Sequence, residues 1–211
     1  MIKLSGQLAV ALSRLPENDD YIELDLSDCV TKENILNMQL FSDSIRNRVF
    51  SMKLPDTIDE IIYGDSSRNF AFYDFHNLQI LSGDGIKKID CKSFKYCSSL
   101  GSVDFPNATS IGTHAFDSCE SLTYVNIPDV KHIDDNAFFE CTSLESIHLP
   151  SVTRLGKFIF EGCRSLKSIN LPKMHDVDKA IFLGCLSLNK VNLFIDFVEE
   201  FMPEVCNELF D

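Results

Sequence analysis

One 22-residue pattern is written five times between Ile86 and Leu193, without an insertion or a deletion. Phenylalanine recurs at Phe94, Phe116, Phe138, Phe160 and Phe182, and three residues after each stands a cysteine: Cys97, Cys119, Cys141, Cys163 and Cys185. Next comes Leu100, Leu122, Leu144, Leu166 or Leu188, then a β-branched residue (Val103, Val125, Ile147, Ile169, Val191) and a further apolar one (Phe105, Ile127, Leu149, Leu171, Leu193). Four copies close on a proline, at Pro106, Pro128, Pro150 and Pro172. A constant period of this length means a stack of similar coils. No single coil can bury its own apolar edge, so each depends on its neighbours. The expected fold is an α/β solenoid with one short strand and one short helical turn per coil.

Within a copy the assignment follows from periodicity. In Leu122-Thr-Tyr-Val125-Asn-Ile127-Pro128 the residues Leu122, Val125 and Ile127 point inward, and the polar residues between them face out, as strand alternation requires. Proline ends the strand because it cannot donate to a ladder. Ile89, Ile111, Ile133, Leu155 and Val177 supply a second inward contact per coil. A helical turn then brings Phe and Cys, at i and i+3, onto one inward face. The phenylalanines are expected to stack as an aromatic spine opposite the strands. Five of the eight cysteines occupy one repeated position. A column of five cannot pair off completely, so these read as buried free thiols acting as small hydrophobes. That usage suits a reducing compartment, or an organism tolerant of free thiols.

The flanks divide the chain into three. Residues 1–48 are expected to cap the stack as helix, strand, helix. Leu4, Leu8, Leu12 and Leu15 make one helical face over residues 1–18. Tyr21–Leu26 alternates as a strand does, and residues 32–47 read as a second helix. Residues 49–193 form the solenoid. Two degenerate copies precede the five regular ones, at Val49–Pro55 and at Ala71–Leu81, with a loop insertion between them over Tyr63–Asn69. Residues 194–211 leave the repeat. Ile195, Val198, Phe201 or Met202, Val205 and Leu209 form an apolar stripe of a helical cap, kinked or split into two short helices at Pro203.

Composition narrows the function. The net charge of −13 is uneven: residues 1–85 hold 7 Lys/Arg and 14 Asp/Glu, residues 86–193 hold 12 of each, and residues 194–211 hold 6 acids and no Lys or Arg. A chain without a basic face does not point to nucleic acid or to an anionic membrane. The run Leu4–Leu12 is interrupted by Ser5, Gly6 and Gln7 and has no clear cleavage site of a leader, so a cytoplasmic location is expected, or a surface or secreted one if this is a trimmed piece of an exported chain. No metal site is expected, because the cysteines stand one per coil without C-x-x-C spacing. No cofactor is expected. Catalysis by a column thiol is disfavoured, since apolar burial raises its pKa, and phosphate-loop, HExxH and G-x-S-x-G motifs are missing.

The run Ile111-Gly112, Ala115-Phe116, Cys119, Ser121-Leu122, Val125, Ile127-Pro128 resembles the BspA-like leucine-rich repeat, found in bacterial surface proteins and in large families of parasitic protists. The resemblance covers roughly residues 45–193. It implies a right-handed leucine-rich-repeat superhelix and a non-catalytic protein concerned with adhesion to host proteins or with protein–protein contacts. The binding candidates are the outward strand positions, which a solenoid presents as parallel columns. One column is Ser102, Tyr124, Ser146, Ser168 and Lys190; its neighbour is Asp104, Asn126, His148, Asn170 and Asn192. Tyr124 would be the aromatic anchor, with His148 diagonal to it. The plainer alternative is a solvated sheet whose Asn side chains hydrogen-bond along the ladder. The expectation is a monomeric recognition module for a protein partner, with a glycan also possible. The alternatives are a surface or secreted adhesin for host proteins or glycans and, more remotely, a parallel β-helix carbohydrate-active enzyme.

Overall fold

A constant repeat length has a direct geometric result: residue i of one coil falls beside residue i+22 of the next, so each repeated position becomes a column. In a computed structural model of the chain, residues 2–7, 15, 21–30, 41–61, 72, 75–175 and 177–193 are described. Their coils stack through parallel strands. On one side lie β1 (Ile2–Gln7), β2 (Ile22–Val30), β3 (Val49–Lys53), β5 (Ile80–Ser82), β7 (Ser102–Asp104) and β9 (Tyr124–Asn126), hydrogen-bonded in that order. A second set on the same side is β11 (Ser146–His148), β13 (Ser168–Leu171) and β14 (Lys190–Leu193). The registers hold the 22-residue offset, as in Val103 opposite Val125 and Ile147 opposite Ile169.

A second side carries its own parallel sheet of two-residue strands: β4 (Glu60–Ile61), β6 (Lys88–Ile89), β8 (Ser110–Ile111), β10 (His132–Ile133) and β12 (Arg154–Leu155). The inward isoleucines anticipated after each proline are the buried half of these strands. Two residues are too few to show alternation, so this sheet could not be read from periodicity.

The third side is built differently from the helical turn expected there. It consists of hydrogen-bonded turns with two left-handed residues per coil: Lys92 and Tyr96, His114 and Ser118, Asn136 and Glu140, Phe158 and Gly162. The left-handed steps turn alternate N–H groups toward the following coil. Phe94 N–H donates to Ala115 O at 2.8 Å, Phe116 to Ala137 O at 2.8 Å, and Phe138 to Ile159 O at 2.9 Å. A helix would have spent those donors within its own coil. Of the five regular coils, the last has a helical turn, a 3-10 helix η1 (Lys179–Phe182), whose Ala180 N–H is capped by the Asp178 carboxylate at 2.9 Å.

The core is the interior of the stack. Phe72, Phe94, Phe116, Phe138, Phe160 and Phe182 form the spine, with neighbouring ring centroids 4.9, 5.0, 5.1, 5.6 and 6.1 Å apart and near-parallel planes over the regular coils. Phe75, in the cysteine position of a degenerate copy, packs on Phe72 and on Phe41. Ser93, where other copies have Ala or Ile, is buried and donates to Asp90 O at 2.8 Å and Ile61 O at 3.2 Å.

Ile2–Gln7 is a strand, not the start of a helix over residues 1–18. The alternation Ile2-Lys3-Leu4-Ser5 competes with the helical spacing of Leu4 and Leu8, and a parallel ladder to β2, Ile2 opposite Leu24 and Gly6 opposite Cys29, satisfies its backbone. Of the helix expected over residues 32–47, the described part is the single turn α1 (Asp43–Arg46). β2 pairs with β3, so one sheet runs across residue 48. The insertion at Tyr63–Asn69 and the cap at residues 194–211 lie outside the described residues.

Candidate interaction face

The strand side presents the outward residues in the columns that the repeat dictates. Ile80, Ser102 and Tyr124 are in register, as are Ser146, Ser168 and Lys190. Ser82, Asp104 and Asn126 form the adjoining column, continued by His148, Asn170 and Asn192. The alternative of a ladder of side-chain hydrogen bonds is realised at two steps. Asn126 Nδ2 donates to Asp104 Oδ1 at 2.7 Å, and Asn170 Nδ2 lies 2.7 Å from His148 Nδ1.

The ladder does not run through. β9 ends the six-stranded sheet and β11 begins the three-stranded one, so the two sets of strands meet at a seam without pairing. The bonds that Phe105 and Leu149 donate to Asn126 and Asn170 of the next coil have no counterpart at Ile127. On the other sides the same two coils stay joined, His132 opposite Arg154 and Phe138 N–H on Ile159 O. The opening therefore belongs to the strand side alone. Val125 registers it: Val103, Ile147 and Ile169 are at most 4% exposed, whereas Val125 is half-buried. Tyr124 stands beside it, 54% exposed. Next to the seam therefore stand half-buried Val125 and exposed Tyr124 on β9, and exposed His148 on β11.

Tyr124 and His148 are placed on opposite banks of this seam, and Asp104, Asn126 and Asn170 are engaged in side-chain bonds within the face. Ser102, Ser146, Ser168, Lys190 and Asn192 occupy their expected columns without converging on a point. Ile80 was missed by the sequence reading. It lies one 22-residue period before Ser102, in a degenerate copy, and is 42% exposed. Counting back one period would have found it.

The other chemistry-bearing groups are structural. Each column thiol donates to the phenylalanine carbonyl of the preceding coil: Cys97 to Phe72 O at 3.4 Å, Cys119 to Phe94 O at 3.2 Å, Cys141 to Phe116 O at 3.1 Å, Cys163 to Phe138 O at 3.1 Å and Cys185 to Phe160 O at 3.0 Å. Burial pushes these thiols up, Cys97 and Cys185 to about 12. The seven described cysteines are free. Asp117 is the one buried charged side chain among the described residues. It accepts from the Lys95 ammonium, from Ser118 Oγ at 2.7 Å and is 2.7 Å from His114 Nδ1. Burial works to lower the Lys95 pKa, but the hydrogen bond and charge of Asp117 outweigh it and hold the ammonium above 10.5. Nucleophilic catalysis would need Ser118 on the imidazole. Here the hydroxyl is spent on the carboxylate, so the cluster ties one coil to the next. An open groove of about 560 Å³ at the corner between the two sheets is lined by Asp56, Asp59, Asp84, Lys87 and Asn107. No group of three His, Cys, Asp or Glu among the described residues is arranged to hold a metal ion. Nor is any helix among them long and apolar enough to cross a membrane.

A stack of 22-residue coils with a strand side, a Phe–Cys spine and an outward polar face defines a leucine-rich-repeat protein. The sequence matches the BspA type leucine rich repeat region in six copies, over residues 27–145 and 65–189, and the chain belongs to that family. Among solved structures it is similar to a leucine rich cell surface protein of Faecalibacterium prausnitzii, at 30% identity and a TM-score of 0.45, over 57% of this chain and 38% of that one. It is also similar to the leucine rich repeat protein of T. pallidum, at 25% identity and a TM-score of 0.44, over 68% and 69% of the two chains. A leucine-rich repeat protein from Bacteroides ovatus shares 21% identity at a TM-score of 0.31, over 79% and 64%. The matched part spans little more than a third of the Faecalibacterium protein. No curated protein sequence matches the chain.

Proposed function

We propose that this protein is a non-catalytic recognition module that binds a protein partner through its strand side, centred on the seam between β9 and β11. The observation that carries the reading is exposed Tyr124 beside half-buried Val125 on β9, with exposed His148 on β11, the neighbouring strand to which β9 does not pair. A tyrosine in such a place offers apolar area and a hydroxyl at low conformational cost, the properties found in interface anchors. Ile80, two strands away along the same column, adds a second apolar contact. The thiol column, held in its protonated form, suits a reducing compartment.

The test compares proteins captured from extract of the source cells on the wild-type chain, on Tyr124→Ala/His148→Ala, and on Lys131→Ala as a control beside the second sheet. Exposed substitutions of this kind change stability by only ~0.5 kcal/mol, so all three fold. A partner retained by the wild type and the control but lost, with at least a tenfold weaker Kd, by the double variant supports the seam. Equal affinity for all three sinks it.

A further inference from the structure

We propose that the partner segment bound on the strand side presents an arginine, whose guanidinium stacks on the ring of Tyr124 and forks onto the carboxylate of Asp104; the assignment rests on the strand side being the binding face. Tyr124 and Asp104 share one surface. Ser102 is opposite Tyr124 and Asp104 opposite Asn126, while Val103 and Val125 between them belong to the core side. Tyr124 and Asp104 are therefore diagonal neighbours on adjacent paired strands, a separation of about 7–8 Å that a long side chain spans.

The carboxylate of Asp104 is held ready for a cation. Asn126 Nδ2 donates to its Oδ1 at 2.7 Å, which fixes the group, and no ion pair reaches it from the described residues. Carboxylates flanking the neighbouring strands have counter-ions within the chain: Lys53 Nζ is 3.4 Å from Asp84, and Lys167 Nζ is 2.8 Å from Glu145. No Lys or Arg stands on β5, β7, β9 or β11, so the negative charge of Asp104 is left uncompensated there, in a chain whose net charge is −13.

Arginine fits this pair better than lysine. A planar guanidinium lies flat on an aromatic face and offers parallel N–H groups to a carboxylate, whereas an ammonium is a point charge. Tyr124 is exposed, so its ring is open to stacking. Ile80, also exposed, lies in the same column beyond Ser102, two strand spacings or about 10 Å from Tyr124. It offers an apolar contact to a second side chain of the same segment.

A random peptide library displayed on phage, selected on the wild-type chain and depleted on Tyr124→Ala, tests the assignment. The surviving peptides are expected to carry an arginine with an apolar residue close by. For a synthetic copy of one of them, fluorescence polarisation should show Kd rising about tenfold on Asp104→Asn, the loss of one charge-assisted pair. Changing the peptide's arginine to lysine should also weaken binding, and so should added salt. Asp104→Asn keeps the side chain's shape and an acceptor for Asn126, and circular dichroism checks that it is folded. Peptides that need Tyr124 but lack arginine, or that bind equally well to Asp104→Asn or with lysine in place of arginine, would overturn the arginine and leave the strand-side reading standing. A library that yields no peptide dependent on Tyr124 would remove both.

Discussion

The column cysteines show why one residue type recurs where several small hydrophobes would fill the space. Each needs a side chain small enough for the spine and able to donate to the phenylalanine carbonyl of the coil before it. Burial keeps the thiols protonated, which has a pH signature. Below 9.0, the usual thiol value, they are neutral in the folded and unfolded chains alike, and stability does not depend on them. Above it the unfolded thiols ionise and the buried ones do not, so stability is lost as pH rises toward about 12. Each thiol adds a slope of about 1.4 kcal/mol per pH unit. Cys141→Ser keeps a donor for Phe116 O and removes one ionising group; urea melts between pH 9 and 11 should show the slope reduced by that share. In native protein the five column thiols should resist iodoacetamide while the partly exposed Cys91 reacts, read by mass spectrometry. The ring of Phe138, stacked between Phe116 and Phe160, predicts a loss of about 3–5 kcal/mol on Phe138→Ala. A loss below ~1 kcal/mol in the same melts would contradict the spine.

At the scale of elements, the three sides of a coil are closed by two backbone devices. The strand side and the second sheet use parallel ladders; the turn side uses left-handed residues that send N–H groups to the next coil. Periodicity made the strand side legible, because Leu122, Val125 and Ile127 alternate with polar residues. It misassigned the turn side, since Phe and Cys at i and i+3 satisfy a helix and a repeated turn equally well, and only backbone hydrogen bonding separates them. Gly112 marks where one coil's turn comes close to its neighbour: a Cβ there would lie 2.7 Å from Cys91 N and 2.9 Å from the Asp90 carbonyl carbon. Because the obstacle is backbone, Gly112→Ala should cost ~1–3 kcal/mol, measured by urea denaturation, whereas Gly101→Ala, with no atom nearer than 3.6 Å, should cost less than half of that.

For the whole molecule, stability is a sum of coil-to-coil contacts, and at the seam between β9 and β11 the strand side contributes no ladder. Hydrogen exchange should therefore find the Ile127 amide exchanging faster than the amides of Phe105 and Leu149, which donate to the next coil. Equal protection at the three positions would show the seam to be closed in solution. The sequence by itself determined the stacking period, the residues of the spine, the burial of the thiols and the columns that face outward, because a fixed repeat forces each position to meet its own copy 22 residues on. It singled out Tyr124 and His148 as the least generic outward residues and as diagonal neighbours, without indicating a break in the ladder between their strands. Only the tertiary structure decided that they flank an opening in the ladder, that Asp104 and Asn170 are tied to their neighbours, and that the first strand lies where a helix was expected. Those outcomes depend on backbone hydrogen bonds between coils, and a periodic pattern of side chains places residues in columns without stating which backbone groups of adjacent coils will meet.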